Sequence, residues 1–75
     1  LTPTETKLLY ILVRNAGRIV STEFLLGRIW PLEEAREDRL HVHVHRLRSK
    51  IERDPNEPYY ILSERGVGYS FQNLP

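Results

Sequence analysis

Asp38–Arg53, DRLHVHVHRLRSKIER, is the stretch whose reading decides the fold. Wound as a helix at about 100° per residue, it gathers Leu40, Val44, Leu47 and Ile51 into one narrow sector, the spacing of a helix that packs on a core. The opposite sector holds Asp38, Val42, His45, Arg46 and Ser49, while Arg39, His43, Arg48 and Lys50 flank the apolar seam. Arg39, Arg46, Arg48, Lys50 and Arg53 set against Asp38 and Glu52 leave +3 on this stretch, although the whole chain carries only +1. The positive charge is therefore concentrated. Its polar face can hydrogen-bond base edges, Val42 can press on a thymine methyl, and the flanking cations can reach phosphates, so the stretch is a candidate major-groove helix.

The same residues admit a second reading, because Leu40, Val42 and Val44 alternate with His41, His43 and His45 at the period of a half-buried strand. On a strand the three histidines would share one face and could take a metal. The alternation stops at His45, however, and helical spacing continues to Ile51 through good helix formers. On the favoured helix His41 and His45 stand one turn apart, His43 points elsewhere and no cysteine completes a site, so no metal or other cofactor is expected.

Seventy-five residues are expected to form one domain over 1–75. A chain this short buries roughly 60–65% of its unfolded surface, too little for an enclosed catalytic cleft. The absence of cysteine suits a reducing, cytoplasmic setting. No run approaches the ~20 apolar residues of a membrane span, so no membrane partner is expected. The chain has no methionine, which suggests a piece of something longer.

Outward from the central stretch, Thr2-Pro3-Thr4-Glu5 reads as a capping box with proline at the first helical position, opening a helix from Pro3 to about Asn15. Leu8, Leu9, Leu12 and Val13 form its apolar face, and Gly17 stands where a left-handed cap is needed. Ser21 caps a second helix through Trp30, with Val20 and Leu25 as a hydrophobic staple, and Pro31 ends it. From Pro31 to Glu37 runs an acidic connection, Glu33, Glu34 and Glu37 against Arg36, which is either a solvated loop or a surface for another protein. Asp54–Pro58 is a turn-rich stop. Tyr59–Ser63 and Tyr69–Phe71 read as short strands, joined by Glu64–Gly68 in a hairpin whose two glycines allow positive φ. Arg65 stands at the tip. Three helices followed by a C-terminal β-hairpin make an α+β winged helix-turn-helix.

Four motifs then carry a resemblance: LTPTE at Leu1–Glu5, STEFLLGRIW at Ser21–Trp30, VHVHRLRSKI at Val42–Ile51 and ERGVGYSF at Glu64–Phe71. In this order and spacing the chain resembles, over nearly its whole length, the C-terminal DNA-binding domain of OmpR/PhoB-type response regulators. The resemblance implies sequence-specific binding of double-stranded DNA for transcription regulation, with the third helix in the major groove. By position, Val42, His45 and Arg46 would face bases. His43, Arg48, Ser63 and Tyr69 would touch the backbone, Arg65 would enter the minor groove, and Trp30 would bind phosphate or shape the loop. The loop with Pro31, Glu33, Glu34 and Glu37 would meet RNA polymerase. The resemblance further implies a tandem pair or homodimer on direct repeats, and a sensor histidine kinase acting on a receiver domain that this chain lacks. The four-stranded platform that precedes the first helix in the family is lacking too.

Where family members usually begin the recognition helix with arginine, this chain has Asp38 and then Arg39. Asp38 either caps the helix, leaving the DNA contact to Arg39, or accepts from a cytosine amino group. His45 replaces a frequent arginine and His41 a usual aspartate. No catalytic constellation competes, since the serines lack an evident base and the carboxylates are scattered over caps and loops. A protein-interaction module built on Trp30 and the acidic loop is the alternative function, and the +3 stretch and Arg65 speak against it.

Overall fold

The computed structural model describes residues 1–73, so positions 74 and 75 of the expected domain lie outside the described residues. In chain order its elements are α1 (Pro3–Arg14), β1 (Ile19–Ser21), α2 (Thr22–Ile29), α3 (Glu37–Ile51), β2 (Ile61–Glu64) and β3 (Gly68–Phe71). Local chemistry starts the first two helices where the sequence places them. The Thr2 N–H donates to Glu5 Oε1 at 3.0 Å and the Glu5 N–H to Thr2 Oγ1 at 3.2 Å, a closed capping box. The Phe24 N–H donates to Ser21 Oγ at 3.1 Å, and both staple residues, Val20 and Leu25, are buried.

Of the apolar seam of α3, Leu40, Val44 and Leu47 are completely buried, and Ile51 is partly so. They meet Leu8, Ile11 and Leu12 of α1 and Leu25 of α2 in one core. Removing such a leucine side chain typically costs ~2–5 kcal/mol, so this seam dominates the stability of the helix. The face of α1 differs slightly from the sequence reading: Ile11 is buried, whereas Val13 is 46% exposed. Packing on α3 selects the residue that faces inward, which a wheel drawn on α1 alone does not decide.

Two corrections concern the termini of α3. Its N-cap is Arg36, with no side-chain cap bond, and Asp38 lies inside the first turn. Asp38 is thus no cap; with Glu37 it puts negative charge near the positive end of the helix dipole. At the other end the helix stops at Ile51, because Glu52 adopts extended backbone with ψ 147°.

The sheet contains a strand that the sequence did not disclose. β3 pairs antiparallel with β2 and also with β1, giving the order β1-β3-β2. Three residues are too few for a period-two pattern to register. Gly68 answers to this third strand and not to a positive φ: a Cβ there would stand 2.0 Å from the Val20 carbonyl oxygen. Only Gly66 in the hairpin has positive φ, at 76°. Gly17, at φ 84°, donates its N–H to the Phe71 carbonyl at 3.0 Å, so it ties the turn after α1 to β3 instead of closing the helix.

Candidate nucleic-acid interface

Along α3 the outward row begins with Asp38 and continues through Val42, His45 and Arg46 to Ser49, all exposed. Val42 keeps 44% of its surface. The burial of Leu40, Val44 and Leu47 fixes this row's direction, since the opposite side of the same helix is locked into the core. Ser49 Oγ donates back to the His45 carbonyl at 3.0 Å, while His45 and Arg46 have no side-chain hydrogen bond within the described residues.

The first turns of α3 are braced by the α2–α3 connection. Arg39 lies over the Trp30 ring at 4.6 Å and pairs with Glu33 at 2.8 Å, both partners being about half exposed. His43 meets the edge of Trp30 at 5.1 Å, and its Nδ1 lies 2.9 Å from the Arg39 carbonyl. A carbonyl can only accept, so Nδ1 carries the proton there and Nε2 is left for another partner. Trp30, 8% exposed, is mostly interior and acts as the surface on which Arg39 and His43 rest. Leu32, next to Pro31 in this loop, is 97% exposed. Glu33 and Glu34 are exposed as well, but Glu37 belongs to α3 and not to the connection.

Across from α3 stands the hairpin. Its turn, residues 65–67, leaves Arg65 exposed, and the Val67 carbonyl accepts from the Thr22 N–H at 3.0 Å. Glu37 and His41 of α3 face Ser63, Arg65 and Tyr69 of the hairpin across a shallow crevice. The Tyr69 ring is buried and its hydroxyl sits 3.1 Å from His41 Nδ1, a link between helix and wing that the sequence reading omitted. Burial pushes the Tyr69 hydroxyl pKa up, partly offset by the nearby Arg48 guanidinium.

Arg48, expected at the DNA backbone, turns toward β2. It is 7% exposed; Nε and Nη2 donate to the Ile61 carbonyl at 3.1 and 2.8 Å, and Nη2 also donates to Ser63 Oγ at 2.9 Å. Burial lowers its pKa, countered by Tyr69 and Glu52. Lys50, another flanking cation, is drawn to α1, where Nζ meets the buried Glu5 carboxylate at 2.6 Å. That contact, followed by the Thr2 amide, holds the Glu5 carboxyl below the usual carboxylate range.

Glu52 was the residue that sequence reasoning missed outright. Buried at the end of α3, its carboxylate accepts from the Tyr59, Tyr60 and Ile61 N–H groups at 2.8–3.1 Å. The available signal was its position one turn after Arg48, but partners seven to nine residues onward lie outside any helical periodicity. Among the described residues no group of three or more His, Cys, Asp or Glu side chains is placed to hold a metal ion. No helix of the described residues is long and apolar enough to cross a membrane.

With this geometry in place, the chain can be set beside known proteins. Residues 1–71 match the family described as "Transcriptional regulatory protein, C terminal", which is a family of regulators and not of enzymes. The DNA-binding response regulator MtrA of Mycolicibacterium smegmatis is 43% identical over 70 residues, covering 92% of this chain and 31% of that protein. The chain thus spans about a third of the length of such curated relatives. The response regulator DrrB of Thermotoga maritima, an OmpR/PhoB homologue, superposes with a TM-score of 0.91 at 37% identity, over 97% of this chain and 33% of that one. The DNA-binding domain of the response regulator AdeR, solved in complex with an intercistronic region, gives 0.83 at 27% identity, over 97% of this chain and 72% of that one. The winged-helix arrangement of α3 and the β2–β3 hairpin, together with these matches, makes this chain a member of the C-terminal effector-domain family of OmpR/PhoB-type response regulators.

Proposed function

We infer that this chain binds double-stranded DNA at specific sequences to regulate transcription, with α3 in the major groove and the hairpin in the adjacent minor groove. The observation that carries the reading is the division of charge along α3. Arg48 is buried against β2 and Lys50 is paired at the surface with Glu5 of α1, whereas Arg46, His45 and Val42 stand exposed in one row, with Arg65 exposed on the wing. A row of donors with one small apolar group is what base-edge readout requires, and a lone arginine at a tip fits a narrow minor groove. His43, beside Trp30, and Ser63, on β2, are read as the contacts to the DNA backbone, while Arg39 over Trp30 and Tyr69 at His41 brace α3. AdeR, a relative of the same fold, is held on DNA in its solved complex, which supports the same role here.

The parent protein is read as a cytoplasmic response regulator. A sensor kinase would phosphorylate its receiver, and two output domains would then occupy direct repeats, each raising the local concentration of the other. The loop carrying Pro31, Glu33 and Glu34, stiffened by the Arg39–Glu33 pair and crowned by the exposed Leu32, is read as the contact with RNA polymerase.

Selection of bound sequences from a random duplex library, repeated with Arg46→Ala, tests the reading. A short motif, or two spaced about one helical turn apart, that loses one position in the variant is the expected result. Binding without any enriched motif would reduce the interface to charge attraction, and no binding would favour a protein-contact module.

A further inference from the structure

Three features outside the base-reading row invite a role: the His41–Tyr69 link, the Lys50–Glu5 pair, and the grip of Arg48 and Glu52 on β2. The last reaches furthest. Arg48 and Glu52 lie one turn apart at the end of α3, both buried, and they hold the two sides of one residue: Arg48 donates twice to the Ile61 carbonyl, and Glu52 accepts the Ile61 N–H at 2.8 Å. Arg48 continues to Ser63 Oγ, two residues before Arg65. β3 is held along both edges by its neighbours, but β2 is an edge strand, hydrogen-bonded to β3 alone. Apart from the burial of the Ile61 side chain in the core, this clamp is what ties it to α3.

We propose, resting on the DNA-binding reading above, that Arg48 is a positioning residue that sets the wing against the recognition helix, so that it acts on DNA through Arg65 and not through a phosphate of its own. A planar guanidinium can bridge a backbone carbonyl and a hydroxyl at once; a lysine at the same place keeps the charge and loses the fork. The two roles therefore separate in one substitution. A phosphate anchor would tolerate Arg48→Lys with little change in affinity or in its salt dependence. A strut would not.

The experiment is a double-mutant cycle on one selected duplex, using the 75-residue chain, with folding of each variant checked by circular dichroism. Arg48→Lys is expected to weaken binding on the order of tenfold, about as Arg65→Ala does. The double variant should stay within about twofold of Arg65→Ala alone, since a misplaced wing has nothing further to lose once its arginine is gone. Hydroxyl-radical protection should fade in the minor groove at the wing while major-groove protection at α3 persists, a split that general destabilisation would not produce. Losses that multiply in the double variant, or an unaffected Arg48→Lys, overturn the proposal. If Arg48→Lys does not fold, Arg48→Gln, whose side-chain amide can still donate to the Ile61 carbonyl but cannot also reach Ser63 Oγ as the fork does, enters the same cycle, and multiplying losses there overturn it equally. Failure of the unaltered chain to bind any duplex overturns the DNA reading itself, and this proposal with it.

Discussion

The two ends of α3 share one apolar seam and both carry charged side chains, yet they use them in opposite ways. From its start to its middle, Val42 and His45 are exposed and Arg39 is held by an exposed ion pair and a tryptophan face. At the C-terminal end, Arg48 and Lys50, with the capping Glu52, are tied to β2, to α1 and to the chain entering β2. A basic helix is thus not a uniformly available one. Side chains near the α2–α3 connection stay at the surface even where they are paired, whereas those at the far end are engaged in holding the body together, and Arg46 lies exposed between the two.

The contrast can be broken most severely from the buried half. Glu52→Ala would strip the acceptor from three backbone N–H groups, that of Ile61 buried and those of Tyr59 and Tyr60 partly so, and a buried donor left unpaired costs ~1–3 kcal/mol. A loss of about 2–4 kcal/mol in urea unfolding is expected, with Glu52→Gln losing less because one oxygen still accepts. Stability unchanged in Glu52→Ala would mean that the hydrogen bonds add nothing to the hold on β2.

From the exposed half the largest effect should be in binding alone. Arg46→Ala is expected to lose ~1–3 kcal/mol of DNA affinity at one base position, while its unfolding free energy stays within about 0.5 kcal/mol of the parent. A uniform loss over all sequences would make Arg46 a phosphate anchor.

Acid sharpens the comparison at Lys50. Because Lys50 holds the Glu5 carboxyl below its ordinary range, the folded chain takes up that proton less readily than the unfolded one. The stability this supplies is present above the ordinary carboxylate pKa and is lost as pH falls through the lower folded value. Urea midpoints measured from about pH 6 to about pH 3 should therefore drop less steeply in Lys50→Ala than in the parent. Equal slopes would show that the pair does not contribute to folding. Smallest of all should be Glu33→Gln, which breaks an exposed pair worth ~0.2–1 kcal/mol at most. Its readable consequence is in salt dependence, where a released Arg39 should steepen the fall of DNA affinity with added salt.

Much of the fold was legible locally. The capping box, the Ser21 cap and the seam of α3 are each set by residues within a few positions of one another, and all three stand where the sequence puts them. The cap on α3 was not decided by the sequence, where Asp38 satisfies a local preference for that place, because α3 begins two residues earlier, after Arg36. β1 escaped notice because its only partner, β3, lies about fifty residues away. Within the candidate site, the outward row followed directly from the seam. The inward turn of Arg48 did not, since at about 100° per residue it falls on the flank, where either solvent or a neighbouring strand could claim it.

By itself, then, the sequence determined the helices, the face that α3 presents, the hairpin and the family, because these rest on periodicity, caps and motifs that a linear chain displays. Only the tertiary structure decided which cations of α3 remain available and how the wing is held, because a long charged side chain goes to whichever partner the fold brings within hydrogen-bond reach. For Arg48 that partner is thirteen residues on, for Lys50 it is forty-five residues back, and neither separation leaves a mark in the sequence.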